Sequence, residues 1–296
     1  MKALRAVRPS GDVPKLDALP IVQIQPSSGW MPIRFQEIWA FRELLYFLVW
    51  RDVKVRYKQT LLGAAWAIIQ PLLTMVVFSV FFGGFGRMSS DGHPYPLFSF
   101  AGLLPWTFFA EGLSQASNSL VTSANLIKKV YFPRLIMPVA SVLAALVDFA
   151  VSFVVLLALM AFYNVAPTIR ILAVPGLLLL ATAASLGVGM LFATLNVEYR
   201  DIRYVLPFFI QLGLFVTPVI YPASLVVPRM TSFGIPGWLY GLNPMAGVVE
   251  GFRWALLGSR TNPGPLLLTG VATTAVLLTA GAFYLRRMER TFADVV

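Results

Sequence analysis

Apolar residues in this chain come in blocks about twenty residues long, separated by short polar or proline-bearing breaks. Blocks of that length suit helices that cross a hydrocarbon core of about 30 Å; half-buried strands would alternate instead. The pattern predicts six spans, at Leu61–Phe82, Leu97–Ser117, Leu135–Phe162, Ile171–Val197, Tyr204–Tyr221 and Pro265–Tyr284, the third and fourth long enough to tilt. Upstream, residues 36–58 have helical spacing, with Ile38, Phe41, Leu45 and Leu48 on one face and Arg51, Lys54 and Lys58 projecting from later turns. Arg42, Glu43, Arg51 and Asp52 interrupt the apolar run, so this helix is expected to lie in the membrane interface with Trp39, Tyr46 and Trp50 at headgroup level. A solvated lead-in to the first span is the alternative.

Residues 222–264, between the fifth and sixth spans, are too apolar for an exposed loop and too broken by Pro228, Pro236 and Pro244 for another crossing. Leu242–Leu257 reads as a short helix introduced by Asn243-Pro244 and containing Glu250, Arg253 and Trp254. The expectation is a re-entrant hairpin on the outer face bordering a transport route, since such backbone survives at membrane depth only under cover of protein or water. An amphipathic hairpin on the outer leaflet is the alternative. The expected architecture is therefore an all-α integral membrane protein with six transmembrane helices. Residues 1–35 form a cytoplasmic arm, 36–58 an amphipathic interface helix and 59–296 the transmembrane domain.

Composition agrees. Of 296 residues, 58% are hydrophobic and 12% charged, against roughly 25% charged in soluble domains, and mean hydropathy is +0.76. Charge sets orientation: 18 of the 23 Lys and Arg fall on the side shared by both termini, leaving Arg87, Arg170, Arg229, Arg253 and Arg260 on the other. The N-terminus and C-terminus are both expected inside, in a bacterial cytoplasmic membrane, preferentially a Gram-negative inner membrane. The same bias explains the net charge of +10 without nucleic acid, for which there is no motif. The first 35 residues lack the apolar core of a cleaved signal peptide.

Catalytic chemistry finds little support. There is no cysteine, and the one histidine, His93, cannot build a metal cluster alone. No Gly-Lys dipeptide occurs, so a phosphate-cradling loop is missing and the chain is not expected to hydrolyse ATP or to be an enzyme. Glu111 and Asp148 are the clear intramembrane carboxylates, costly enough to be functional candidates, although a hydrogen bond between helices explains either equally well. They are expected on different spans at unlike depths. Glu111 lies in a polar turn with Ser114, Gln115 and Ser117, which suggests a span end or a hydrated cavity.

Two segments carry a resemblance. Ser119–Arg134 reads S-L-V-T-S-A-N-L-I-K-K-V-Y-F-P-R, a short polar helix followed by aromatics and a proline stop, and Arg51–Pro71 reads R-D-V-K-V-R-Y-K-Q-T-L-L-G-A-A-W-A-I-I-Q-P. With Y-R-D-I-R at Tyr199–Arg203, Asn243-Pro244 and F-A-D-V at Phe292–Val295, the chain from about Phe35 onward resembles the permease subunit of polysaccharide ABC exporters, which export O-antigen, capsule and teichoic acid. The arm before residue 30 is longer than that family's usual start. The resemblance implies a homodimer joined to two copies of a separate ATPase, which holds the ATP and Mg, while this chain carries no cofactor. The cargo would be a lipid-linked polysaccharide, O-antigen preferred, with capsule or teichoic acid as alternatives.

The resemblance also implies roles. The helix at about Thr122–Lys129 looks like the family's coupling helix, with Asn125, Leu126, Ile127, Lys128 and Lys129 entering a cleft of the ATPase and Tyr131, Phe132 and Pro133 fixing its angle to the third span. Arg51, Lys54 and Arg56 flank that surface or meet anionic headgroups and the pyrophosphate of the cargo. A sugar path needs aromatic faces and hydrogen-bonding groups. Trp66, Gln70 and Thr74 recur every four residues on the first span, and Tyr204, Phe208, Gln211 and Phe215 form a similar stripe on the fifth. These faces are the expected channel lining, because spans one and five meet at the dimer interface in the resembled fold. Packing or lipid-facing stripes are the alternative. Trp238 and Tyr240 would bind sugar at the outer exit or anchor the hairpin. Three rival readings stay open: an ATP-independent transporter or channel, a membrane-embedded glycan- or lipid-modifying enzyme, and an exporter of a drug or small lipid.

Overall fold

Proline decides where several helices of this chain begin. Its missing N–H costs nothing in a first turn and its fixed φ is already helical, and it stands at that position in α4, Tyr95–Thr122, α7, Val174–Glu198, α10, Pro244–Leu256, and α11, Gly264–Met288. The computed structural model describes residues 35–58, 65–199, 201–259 and 262–289, and all regular structure among them is helical. The remaining helices are α1, Phe35–Ala40, α2, Arg42–Lys58, α3, Ala65–Phe78, α5, Ala124–Lys129, α6, Ile136–Phe162, α8, Ile202–Val216, and α9, Ala223–Ser232. A π-helical stretch, Ser79–Phe85, prolongs α3, and 3₁₀ turns precede α7 and α10.

Four of these segments are long and apolar enough to cross a bilayer: Ala65–Phe85, Ile136–Phe162, Ile169–Glu198 and Gly264–Met288. They match the expected first, third, fourth and sixth spans within a few residues, although residues 61–64 lie outside the described part. The expected second span is α4, whose 28 residues rise about 42 Å. It is long enough to cross, but its C-terminal half carries Glu111, Ser114, Gln115, Ser117 and Asn118, which lower its hydropathy. The expected fifth span is shorter than the sequence suggests. Its helix, α8, has 15 residues, about 22 Å, and the chain leaves helical geometry at Thr217, four residues before Tyr221.

The core is a bundle of α4, α6, α7 and α11, with α10 wedged against α4, α7 and α11. Small residues let the helices approach closely. A Cβ at Gly187 would lie 2.7 Å from the Leu278 nitrogen of α11, and one at Gly189 would lie 2.7 Å from the Ala116 Cβ of α4. At the end of the bundle beside α5, Phe41, Leu45 and Leu48 of the N-terminal segment pack on Leu120, Ile127, Phe132 and Ile136 together with Leu44 and Val49. The predicted apolar face is thus turned inward, while Tyr46, Phe47, Trp50 and Val55 are left exposed. The predicted helix is divided at Phe41 into α1 and α2.

The stretch from α8 to α10 is irregular yet buried. Thr217, Val219 and Ile220 are inaccessible, and of α10 nearly every residue is covered. Gly258, at φ 74°, closes α10 in the left-handed conformation that ends many helices. The two helices of the expected hairpin differ: α10 is covered almost throughout, whereas in α9 only Ala223 is buried.

Candidate functional site

A cleft of about 1010 Å³ opens between α2, α3, α4, α6 and α8. Helical spacing brings Trp66, Gln70 and Thr74 of α3 onto its wall, as the sequence predicts, and Gln211 of α8 faces them. Trp106, Thr107, Ser114 and Gln115 of α4 complete the aromatic and hydrogen-bonding surface. Tyr204, Phe208 and Phe215 do not border the cleft. They are exposed on the outer side of α8, 77%, 59% and 50% accessible. The stripe predicted on α8 is therefore divided: Gln211 joins Pro207, Ile210 and Leu214 on the cleft wall, and the aromatics face away. Trp238 and Tyr240 sit in the turn before α10. Tyr240 donates from its hydroxyl to Val216 O at 2.8 Å, and Trp238 is half exposed.

One expectation is overturned here. Glu111 and Asp148 are not separated at unlike depths; a single guanidinium bridges them. Arg56 of α2 pairs with Asp148 of α6 and, at 3.2 Å, with Glu111 of α4. The Tyr57 hydroxyl donates to the other Asp148 oxygen, and Gln115 Nε2 donates to Glu111 at 2.9 Å. Periodicity within one helix could not show this, because the residue that unites the acids comes from a third helix. Burial pushes the Tyr57 phenol above its ordinary pKa, with Arg56 opposing, so it is a neutral donor at physiological pH. Arg56, read with the coupling surface, thus lies in the cleft. Arg51 pairs instead with its neighbour Asp52 at 2.8 Å, and Lys54 is exposed.

The helix between α4 and α6 is present as α5. Asn125, Lys128, Lys129 and Tyr131 are exposed, Leu126 is half-buried, and Ile127 and Phe132 are buried at 7% and 3%. Ile127 therefore faces the protein, and with Phe132 and Pro133 it anchors the segment.

A second charged cluster was legible only as residue names. Arg253 of α10 is fully buried and donates to the carbonyls of Phe98 (3.3 Å), Pro218 (2.6 Å), Val219 (2.5 Å) and Tyr221 (3.3 Å) and to Glu250 Oε1 (3.0 Å). Its guanidinium lies 3.6 Å from the Phe98 ring centroid. Glu250 Oε1 also accepts from the Ala223 N–H at 2.8 Å. Asn243 caps α10 by accepting from Met245 N–H and donates to Thr217 Oγ1, and Tyr95 donates to Ile220 O. The bonds from Arg253 and Tyr95 to Pro218, Val219, Ile220 and Tyr221 satisfy irregular backbone after α8 that would otherwise be costly to bury. The i, i+3 spacing of Glu250 and Arg253 on an apolar helix was the available signal. Among the described residues, no group of His, Cys, Asp and Glu could hold a metal ion.

Comparison with known proteins gives a consistent outcome. The chain is 28% identical over 261 residues to the O-antigen export system permease protein RfbA of Myxococcus xanthus, covering 88% of this chain and 98% of that one. It is 27% identical over 258 residues to RfbA of Klebsiella pneumoniae, covering 86% and 95%. The polysialic acid transport protein KpsM of Escherichia coli is 24% identical over 248 residues, covering 81% and 91%. The family model described as ABC-2 type transporter matches residues 43–257, which include α2, the cleft, α5 and α10. With most of its length in that match, this multi-pass helical chain belongs to the ABC-2 type transporter family.

Proposed function

We propose that this chain is the permease subunit of an exporter that moves a lipid-linked polysaccharide, an O-antigen before a capsule, out of the cytoplasm across the inner membrane. The observation that carries the reading is the cleft. Rings of Trp66 and Trp106 stand among the amides and hydroxyls of Gln70, Gln211, Gln115, Thr74, Thr107 and Ser114. That mixture suits sugars, whose C–H faces stack on rings while their hydroxyls need partners to offset desolvation. In this reading α4 and α8 are spans two and five, making six, with both termini inside and the α9 to α10 region a re-entrant hairpin on the outer face. A second copy closes the cleft through the exposed faces of α3 and α8, where Leu73, Val76, Val77, Phe208, Leu212 and Phe215 are accessible.

Energy comes from a separate ATPase, two copies per dimer, which holds ATP and Mg. The docking element is α5, reaching out with Asn125, Lys128, Lys129 and Tyr131, while Ile127 and Phe132 pass its displacement into α2, α4 and α6 through their shared apolar cluster. Lys54 and Arg51 border the same inner surface.

The test is co-purification with the ATPase encoded beside this chain, then ATP hydrolysis after reconstitution with and without lipid-linked glycan. A stable complex whose hydrolysis responds to glycan is expected. A chain that stays alone and leaves hydrolysis unaffected would sink the exporter reading. Within the complex, Gln70→Leu with Gln211→Leu should cut export about tenfold while leaving the thermal midpoint within about 1 °C, since each loses about one hydrogen bond to cargo and none that holds the fold.

A further inference from the structure

Resting on the reading of the cleft as the sugar path, we infer that the cleft selects cargo by charge, admitting neutral glycan chains and disfavouring polyanionic ones, with Glu111 as the residue that sets this preference. Among the described residues, the charged side chains on its wall are Arg56 from α2, Glu111 from α4 and Asp148 from α6; α3 and α8 contribute none. One cation faces two carboxylates, so the lining carries a residual negative charge.

Geometry assigns that charge to Glu111. Asp148 is engaged through both oxygens, one by Arg56 and the other by Tyr57. The bonds to Glu111 from Arg56 and Gln115 both fall on Oε1, and among the described residues no partner reaches Oε2. The Glu111 side chain is also the most open of the three, at 44% against 26% for Arg56 and 21% for Asp148. A passing residue of the cargo therefore meets a carboxylate oxygen beside the Gln115 amide, in a cleft that Trp66, Gln70 and Gln211 also line. For a neutral sugar that oxygen is a strong hydroxyl acceptor. For an acidic sugar it is a like charge that repels across an open cleft, where the repulsion exceeds that in bulk water but salt still reaches it. The inner surface has the opposite sign, with Lys54, Lys58, Lys128, Lys129 and Arg203 exposed. A cargo with one anionic end and an uncharged chain suits both regions.

The experiment uses the complete permease and ATPase complex in nanodiscs. The chain has no cysteine, so Ser114→Cys places its only thiol on the cleft wall, with Thr107→Cys as the second reporter should the first fail to assemble. The rate of labelling by an uncharged maleimide is read with maltohexaose or a sialic acid hexamer as competitor. Maltohexaose should slow labelling at about tenfold lower concentration than the sialic acid hexamer. Glu111→Gln, which brings the lining to zero net charge, should shrink that ratio toward one, as should raised salt. Equal protection by both hexamers, or a ratio that Glu111→Gln leaves unchanged, overturns charge selection while leaving the cleft as the sugar path. Absence of protection by either hexamer overturns the sugar path itself, and the selection with it.

Discussion

Two arginine clusters in this protein use the same groups to opposite ends. Arg253 is wholly buried, and four of its five hydrogen bonds go to backbone carbonyls, three of them in the irregular stretch after α8. Arg56 is partly exposed in an open cleft, and its bonds reach only side chains, on α4 and α6. An ionised group within a membrane segment is a functional candidate by default. The contrast shows how partners refine that default. A guanidinium that satisfies carbonyls substitutes for missing secondary structure and is fixed by it. One that holds only carboxylates on separate helices joins parts that can move apart.

The largest expected effect tests the fixed cluster. Arg253→Leu strands the carbonyls of Pro218 and Val219 and leaves Glu250 buried without its cation, which typically costs about 3–5 kcal/mol. Equilibrium unfolding in mixed micelles should show a loss of that size, and little protein should accumulate in the membrane. Because Arg253→Leu can prevent folding altogether, Arg253→Lys gives a graded version: a point charge reaches one or two carbonyls and recovers part of the loss. Stability within about 1 kcal/mol of the parent in both variants would erase the distinction between the clusters.

A double-mutant cycle sharpens the other side. Arg56→Ala and Asp148→Asn should each destabilise by about 1–2 kcal/mol, and the pair together by less than their sum, because the groups are partly exposed and share one interaction. Export should fall further than stability in both single variants, since the bond ties the interface helix to the cleft wall. Strict additivity would mean that Arg56 does not hold Asp148 in the membrane.

The difference between the clusters also marks what sequence can and cannot supply. Helical spacing along single segments placed Trp66, Gln70 and Thr74 on one wall and turned Phe41, Leu45 and Leu48 inward, because those are properties of one helix face. The polar content of α4 near Glu111 pointed to a span end or a hydrated cavity, and Glu111, Ser114 and Gln115 line the cleft. The meeting of Glu111 with Asp148 depends on how three helices pack, and no period within any of them encodes it. The early end of α8 escaped for a related reason. Val216, Val219 and Ile220 continue an apolar run, but their carbonyls accept from Tyr240, Arg253 and Tyr95 through tertiary contacts rather than from their own next turn. Ile127 sits among the exposed residues of α5 in sequence, and its inward turn comes from the apolar cluster that α2, α4, α6, α7 and α11 form around it.

The smallest effect separates the two partners of Asp148. Tyr57→Phe removes one neutral donor from a carboxylate that keeps its guanidinium, so the loss should be about 0.5–1.5 kcal/mol, well below that of Arg56→Ala. Its pH dependence carries more information than its size. The phenol is raised above its ordinary value of 10.0 in the folded protein, mainly by burial, so the unfolded chain releases this proton first as pH rises. The contribution of Tyr57 is whole below pH 10 and declines above it toward the folded pKa. Tyr57→Phe should therefore lie below the parent at neutral pH and lose less stability than the parent as pH rises above 10. Parallel curves above pH 10 would mean that the Tyr57 phenol is not buried against the cleft wall, and a Tyr57→Phe loss of zero that its bond to Asp148 adds nothing to the guanidinium.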